Sequence, residues 1–143
     1  MNTPSAPLLR LPATLRARLE DWSRVRYPRE ACGLLIGLRA EKHIEVVQVR
    51  EARNRDLEHA ALRYLLDPVD HLAAEEDAAA NGFEVVGIWH SHPDHPACPS
   101  ELDREQAWAG WSYVILAVEH GRTSDLRSWR LVGERFEEER LSS

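Results

Sequence analysis

Residues 83–103 read Phe83-Glu84-Val85-Val86-Gly87-Ile88-Trp89-His90-Ser91-His92-Pro93-Asp94-His95-Pro96-Ala97-Cys98-Pro99-Ser100-Glu101-Leu102-Asp103. The run from Phe83 to Trp89, apolar except for Glu84, reads as a core strand. His90 and His92 follow it two residues apart. Strand side chains repeat every second residue, so this spacing turns both imidazoles to one face. Imidazole nitrogen binds zinc at ~2.0–2.1 Å, and two rings on one face can share an ion without distorting the backbone. A three-proline loop then leads to Ser100 and Asp103, the latter in the first turn of the next helix. If the loop folds back, this carboxylate reaches the histidine pair. Three protein ligands with an open fourth position describe a catalytic zinc site, whereas a structural site closes all four. Ser100-x-x-Asp103 is also a helix-start pattern with Ser100 as N-cap, and a cap can place Asp103 beside a metal.

Upstream of this stretch, Asp67 is expected to cap a helix with Pro68 at its first position, an alanine-rich body and Gly82 just past its end. Arg63–Leu66 reads as a short strand before it. Ala31–Leu38, punctuated by Gly33 and Gly37, predicts a buried strand, and β-branched His43–Val49 its partner. Leu8, Leu11, Leu15, Leu19 and Trp22 recur at spacings of three and four, which predicts a first helix beginning near Pro12. Downstream, Ser100–Trp108 reads as a helix, Ser112–Val118 as a buried strand and Asp125–Val132 as the last strand. The fold class is therefore α/β (α+β), with a mixed central sheet flanked by helices. The 143 residues suit one domain, with residues 1–7 and 137–143 expected to be loose ends.

Hydrophobic residues make up 43% and charged residues 29%. That is globular composition, too apolar for a disordered chain and too charged for a membrane one. Nothing approaches a spanning segment or a secretory signal. Cys32 and Cys98 cannot build a disulfide framework, so the expected setting is a reducing cytoplasm. A net charge of −6 argues against a nucleic-acid partner, and no membrane partner is expected. Lys42 is the one lysine among 18 basic residues, which reads as a compositional bias of the source.

The pattern His90-x-His92, seven residues, Ser100, two residues, Asp103 resembles the signature of the JAMM (MPN+) zinc metallopeptidases. That family carries a further glutamate at the start of an upstream strand. Glu30, in Pro28-Arg29-Glu30-Ala31-Cys32-Gly33, stands where the family places it. Without the downstream motif, Glu30 would read as a surface glutamate before a strand. The resemblance runs from the first helix to the strand ending near Val132 and shows no departure at the five positions. It implies a single domain over 1–143 of the small prokaryotic type, with a cytidine-deaminase-like architecture. It further implies one zinc ion per chain on His90, His92 and Asp103, Glu30 as the proton carrier, and Ser100 as a donor to the oxyanion. The implied substrate is the C-terminal tail of a ubiquitin-like or sulfur-carrier protein, cleaved at a peptide or isopeptide bond. An extended diglycine tail could add along a sheet edge.

Two other readings compete. RadC-like DNA-repair-associated proteins carry a similar His-x-His-Pro…Ser-x-x-Asp segment, usually behind an additional helical region, and this chain has only about one helix before Glu30. Metal-free MPN domains serve as interaction scaffolds. Zinc base deaminases need His-x-Glu with Pro-Cys-x-x-Cys, and neither occurs. Within the loop, His95 is a substrate contact, an alternative ligand or an exposed histidine; Cys98 is an adventitious ligand or a packing residue. Trp89, Trp108, Trp111 and Trp129 are expected in the core or along a cleft wall.

Overall fold

Cys32–Arg39 (β2) is buried along nearly its whole length, which is why it reads as a continuous apolar run rather than an alternating one. It lies between His43–Ala52 (β3) and Glu84–Pro93 (β4), antiparallel to both. Gly33 is required there: a Cβ would stand 1.9 Å from the Arg50 carbonyl oxygen and 2.4 Å from Trp89 Nε1. The same indole donates to that carbonyl at 2.9 Å. The structure is a computed structural model that describes residues 7–143. Its remaining elements are β1 (Leu8–Arg10), α1 (Ala13–Arg26), α2 (Pro68–Ala80), α3 (Glu101–Glu105), β5 (Ser112–Glu119), β6 (Arg122–Val132) and β7 (Arg135–Ser142).

The sheet is mixed, as the sequence predicts. β4 pairs parallel with β5, while β5–β6 and β6–β7 are antiparallel. Helices cover its two faces. Leu15, Leu19 and Trp22 of α1 pack with Leu35, Val46, Val86, Trp89, Val114 and Leu116, and Trp22 stacks on Trp89 with ring centroids 5.6 Å apart. Ala74 and Ala78 of α2 pack on Leu34, Ile36, Val85 and Ile88 from the other side. No described helix is long and apolar enough to cross a membrane.

Leu8–Arg10 and the C-terminal segment depart from expectation. Leu8 reads as part of a helical stripe, yet Leu8–Arg10 is a strand, parallel to both β3 and β7. The segment 137–143 reads as a solvated tail, yet most of it is β7. Together these strands close the sheet in the order β1-β3-β2-β4-β5-β6-β7. The closure is polar as well as apolar. Glu139 is buried and accepts from Ser128 Oγ at 2.8 Å and from the Arg130 guanidinium, while Arg127 pairs with Glu138 at 2.8 Å. Cross-strand ion pairs of this kind hold a strand that composition alone assigns to solvent. Closure also limits the edge available to an added strand: on β3, β1 covers only His43–Glu45, so among the described residues β3 from Val46 onward has a strand neighbour on one side only. Residues 1–6 of the expected N-terminal arm lie outside the described residues, whereas Pro7 accepts from Arg140 N at 2.7 Å. Arg63–Leu66 forms no strand, only a bridge from Leu66 to Asn54. The helix expected over Ser100–Trp108 stops at Glu105. Cys32 and Cys98 are both free.

Candidate metal centre

β4 continues through both histidines to Pro93, so His90 and His92 sit inside the strand rather than after it, on one face as alternation requires. His90 lies opposite Cys32 of β2 and Ile115 of β5 and is fully buried. Ser91 points the other way, and its Oγ accepts from Ala31 N at 2.8 Å. That bond ties the strand of the histidines to the residue after Glu30. Glu30 is only 5% exposed. Its N–H donates to Ala60 O at 2.5 Å and its carbonyl accepts from Asn54 Nδ2 at 3.2 Å.

The proline loop folds back. Ser100 caps α3 in a reciprocal capping box, with Asp103 N donating to Ser100 Oγ at 3.0 Å and Ser100 N donating to Asp103 Oδ2 at 2.8 Å. This delivers the Asp103 carboxylate to the histidines, 3.2 Å from His92 Nε2 and 3.7 Å from His90 Nε2. On the other side, Glu30 Oε1 lies 3.4 Å from His90 Nδ1. The Nδ1–H of His92 donates to Pro96 O at 2.8 Å, which fixes the ring with Nε2 facing Asp103. Trp129 Nε1 donates to Ala97 O at 3.0 Å and anchors the same loop.

Burial alone pushes the Asp103 carboxyl up. The charge of His90, the hydrogen bond with His92 and the Ser100 N–H outweigh it and hold this group well below the usual carboxylate range. Burial likewise pushes His92 down, but Asp103 and the Pro96 carbonyl leave it raised. Three buried polar atoms in the cluster have no hydrogen-bond partner: Glu30 Oε1, His90 Nδ1 and His90 Nε2. Buried polar atoms are seldom left so, and those that are call for an unseen water or ion. One ligand atom each from Glu30, His90 and His92 lies within 4.8 Å of the others, with the Asp103 carboxylate alongside. Two imidazoles and two carboxylates around one volume fit a divalent zinc-like cation.

All five residues singled out in the sequence therefore meet in one place. His95 and Cys98 stay exposed on the loop, outside the cluster. Trp89 is core, while Trp108 is 58% exposed and stacks on Trp111 at 4.9 Å. Three contributors escape sequence reading. Tyr64 stacks on the His90 ring with centroids 4.5 Å apart. Asn54 uses its whole amide: Nδ2 donates to Glu30 O and Arg63 O, both at 3.2 Å, and Oδ1 accepts from Asp56 N and Leu65 N, both at 3.0 Å. Tyr27 Oη donates to Asp94 Oδ2 at 2.7 Å, joining the approach to Glu30 to the ligand loop. Asp94 has a φ of 57°, where asparagine and aspartate are enriched among side-chain-bearing residues. Asn54 and Tyr64 lie in an irregular segment with no periodicity to betray them.

The family of prokaryotic homologs of the JAB domain matches residues 12–132. A desampylase of Haloferax volcanii is 30% identical over 112 residues, covering 78% of this chain and 76% of that protein. A probable TtuB-protein conjugate cleaving protease of Thermus thermophilus is 32% identical over 93 residues, 64% of this chain and 58% of that one. The solution structure of a Desulfitobacterium hafniense protein superposes with a TM-score of 0.81 at 29% identity, covering 93% of this chain and 90% of the other.

Proposed function

This chain belongs to the prokaryotic homologs of the JAB domain, and from that premise we propose that it is a zinc-dependent isopeptidase. Its substrate is a peptide or isopeptide bond at the C-terminal tail of a ubiquitin-like or sulfur-carrier protein. The names of its desampylase and conjugate-cleaving relatives support that substrate class. His90, His92 and Asp103 would hold the ion. When bound, zinc supplies Lewis acidity, which polarises an acyl oxygen and lowers the pKa of water to about 7.

The protein's own groups do the rest. Glu30 takes a proton at Oε1 as water attacks the acyl carbon, then returns it to the amine as the C–N bond breaks. Its burial keeps bulk water from competing for that proton. Ser100 donates its hydroxyl hydrogen to the oxyanion. That hydrogen is free to do so, because the helix cap uses Oγ only as an acceptor. His92 keeps its ligand nitrogen available through the bond from Nδ1 to Pro96. The observation that carries this reading is the buried set of unpartnered atoms on Glu30 and His90.

Elemental analysis and turnover of a tail conjugate test it. The wild type should carry one zinc per chain, and His92→Ala should lose it. Glu30→Gln, nearly isosteric but unable to accept the proton, should keep the metal and lose turnover. Equal zinc in wild type and His92→Ala, or wild-type turnover by Glu30→Gln, would overturn the assignment.

A further inference from the structure

Beside the metal centre, a groove of about 940 Å³ opens on the flank of Glu30. Glu30 lines it together with Arg26, Arg29, Arg53 and Arg55 and with the carboxylates Glu51 and Asp70. His90, His92, Ser100 and Asp103 do not line it. Three of the four arginines are already committed. Arg26 pairs with Glu51 through two bonds of 2.8 and 2.9 Å, Arg55 with Asp67 at 3.0 Å, and Arg53 with Asp70 at 3.6 Å. Arg29 is exposed and, among the described residues, has no carboxylate within salt-bridge distance. The groove thus presents one uncommitted guanidinium, on the residue next to the proton carrier.

We propose that this groove is a subsite for a carboxylate carried by the leaving amine, with Arg29 as its ligand. The proposal rests on the isopeptidase reading of the same centre. Water adds to the acyl carbon and the C–N bonding pair leaves with nitrogen. Nitrogen must then receive the proton that Glu30 holds, so the leaving group lies within hydrogen-bond reach of Glu30. The acyl oxygen lies away from it, toward Ser100. The groove on Glu30's flank therefore receives the leaving group. A free guanidinium favours a carboxylate, which it binds with two parallel hydrogen bonds. Two sources offer this chemistry. One is the α-carboxylate of a single amino acid released from the tail, a single carbon from the scissile nitrogen. The other is an acidic side chain beside a modified lysine.

Binding to zinc-loaded Glu30→Gln protein separates this proposal from turnover. The probes are fluorescent ten-residue peptides ending in Gly-Gly and extended in four ways. Two carry one alanine, as free acid or as amide; two are joined to the Nε of a lysine flanked by glutamate or by glutamine. At least one acid form should bind about tenfold more tightly than its neutral partner. That ratio should fall to about one when Arg29→Gln is added. The alanine pair and the lysine pair tell the two sources apart. Equal binding of acid and neutral forms in both pairs, undetectable binding of all four, or a preference that survives Arg29→Gln would overturn the subsite. Turnover of the same peptides by the wild type is read separately. Cleavage without an acid preference in binding sinks the subsite alone; an acid preference without any cleavage sinks the isopeptidase reading and, with it, the assignment of the bound carboxylate to a leaving amine.

Discussion

In the proposed mechanism Ser100 performs two tasks with two different parts of one hydroxyl. Its lone pair accepts from Asp103 N at 3.0 Å, which starts α3 and orients the Asp103 carboxylate. Its hydrogen points to no protein acceptor in the cap and is the one assigned to the oxyanion. Ser100→Ala should therefore lose about 0.5–2 kcal/mol of stability through the cap. It should also lower kcat by about 10²–10³-fold through the missing donor. Denaturant unfolding and turnover, with metal content measured alongside, read the two effects independently. A folded, zinc-loaded variant with undiminished kcat would leave only the cap. Asn54 shows the same economy without any place in the chemistry. Four bonds from one amide fix the Glu30 carbonyl and the loop that seats Tyr64 on His90.

Among elements, α2 carries its start signals in the order expected: Asp67 at the cap, Pro68 next, and Asn81 and Gly82 at the end. The Asp67 side chain accepts from Val69 N at 2.8 Å and Asp70 N at 3.2 Å. The hydrogen bond from Arg55, helped by those two amides, holds its carboxyl below the ordinary value. A carboxyl depressed by folding stabilises the protein above its unfolded value, about 3.9, and that contribution fades as pH falls through the folded value. Asp67→Asn keeps a good cap acceptor and removes the charge. The wild type should be the more stable at neutral pH, and the difference should close as pH is lowered past about 4. Denaturant midpoints across that range check it, and a constant difference would assign the effect to the cap. β4 and α3 are legible for the same local reasons: alternation sets the two histidines, and capping sets Ser100 and Asp103. Arg63–Leu66 misleads because its apolar residues serve a loop tied down by Asn54, not a ladder.

Across the molecule, closure of the sheet depends on β7, whose acidic residues meet Arg127 and Arg130 of β6. Glu139 is the most deeply placed of them. Glu139→Ala strands the partly buried Arg130 and should cost about 3–5 kcal/mol in denaturant unfolding. A loss below about 1 kcal/mol, the value of an exposed pair, would show that the pair does not hold the closure. The sequence alone determined the candidate ligand pattern, the strand bearing it, the capped helix after it and the class of the fold. Each depends on the 2.0 or 3.6 periodicity or on a cap, which neighbouring residues impose on one another. Glu30 was legible through its family context, and its approach to His90 came only with the pairing of β2 and β4. Only the tertiary structure decided the roles of Asn54 and Tyr64, the groove at Arg29, and the pairing of Leu8–Arg10 and Arg135–Ser142 as strands. Leu8 pairs with Arg140 from the opposite end of the chain. No local pattern encodes that contact, because its hydrogen bonds and buried area exist only once the intervening strands are in place.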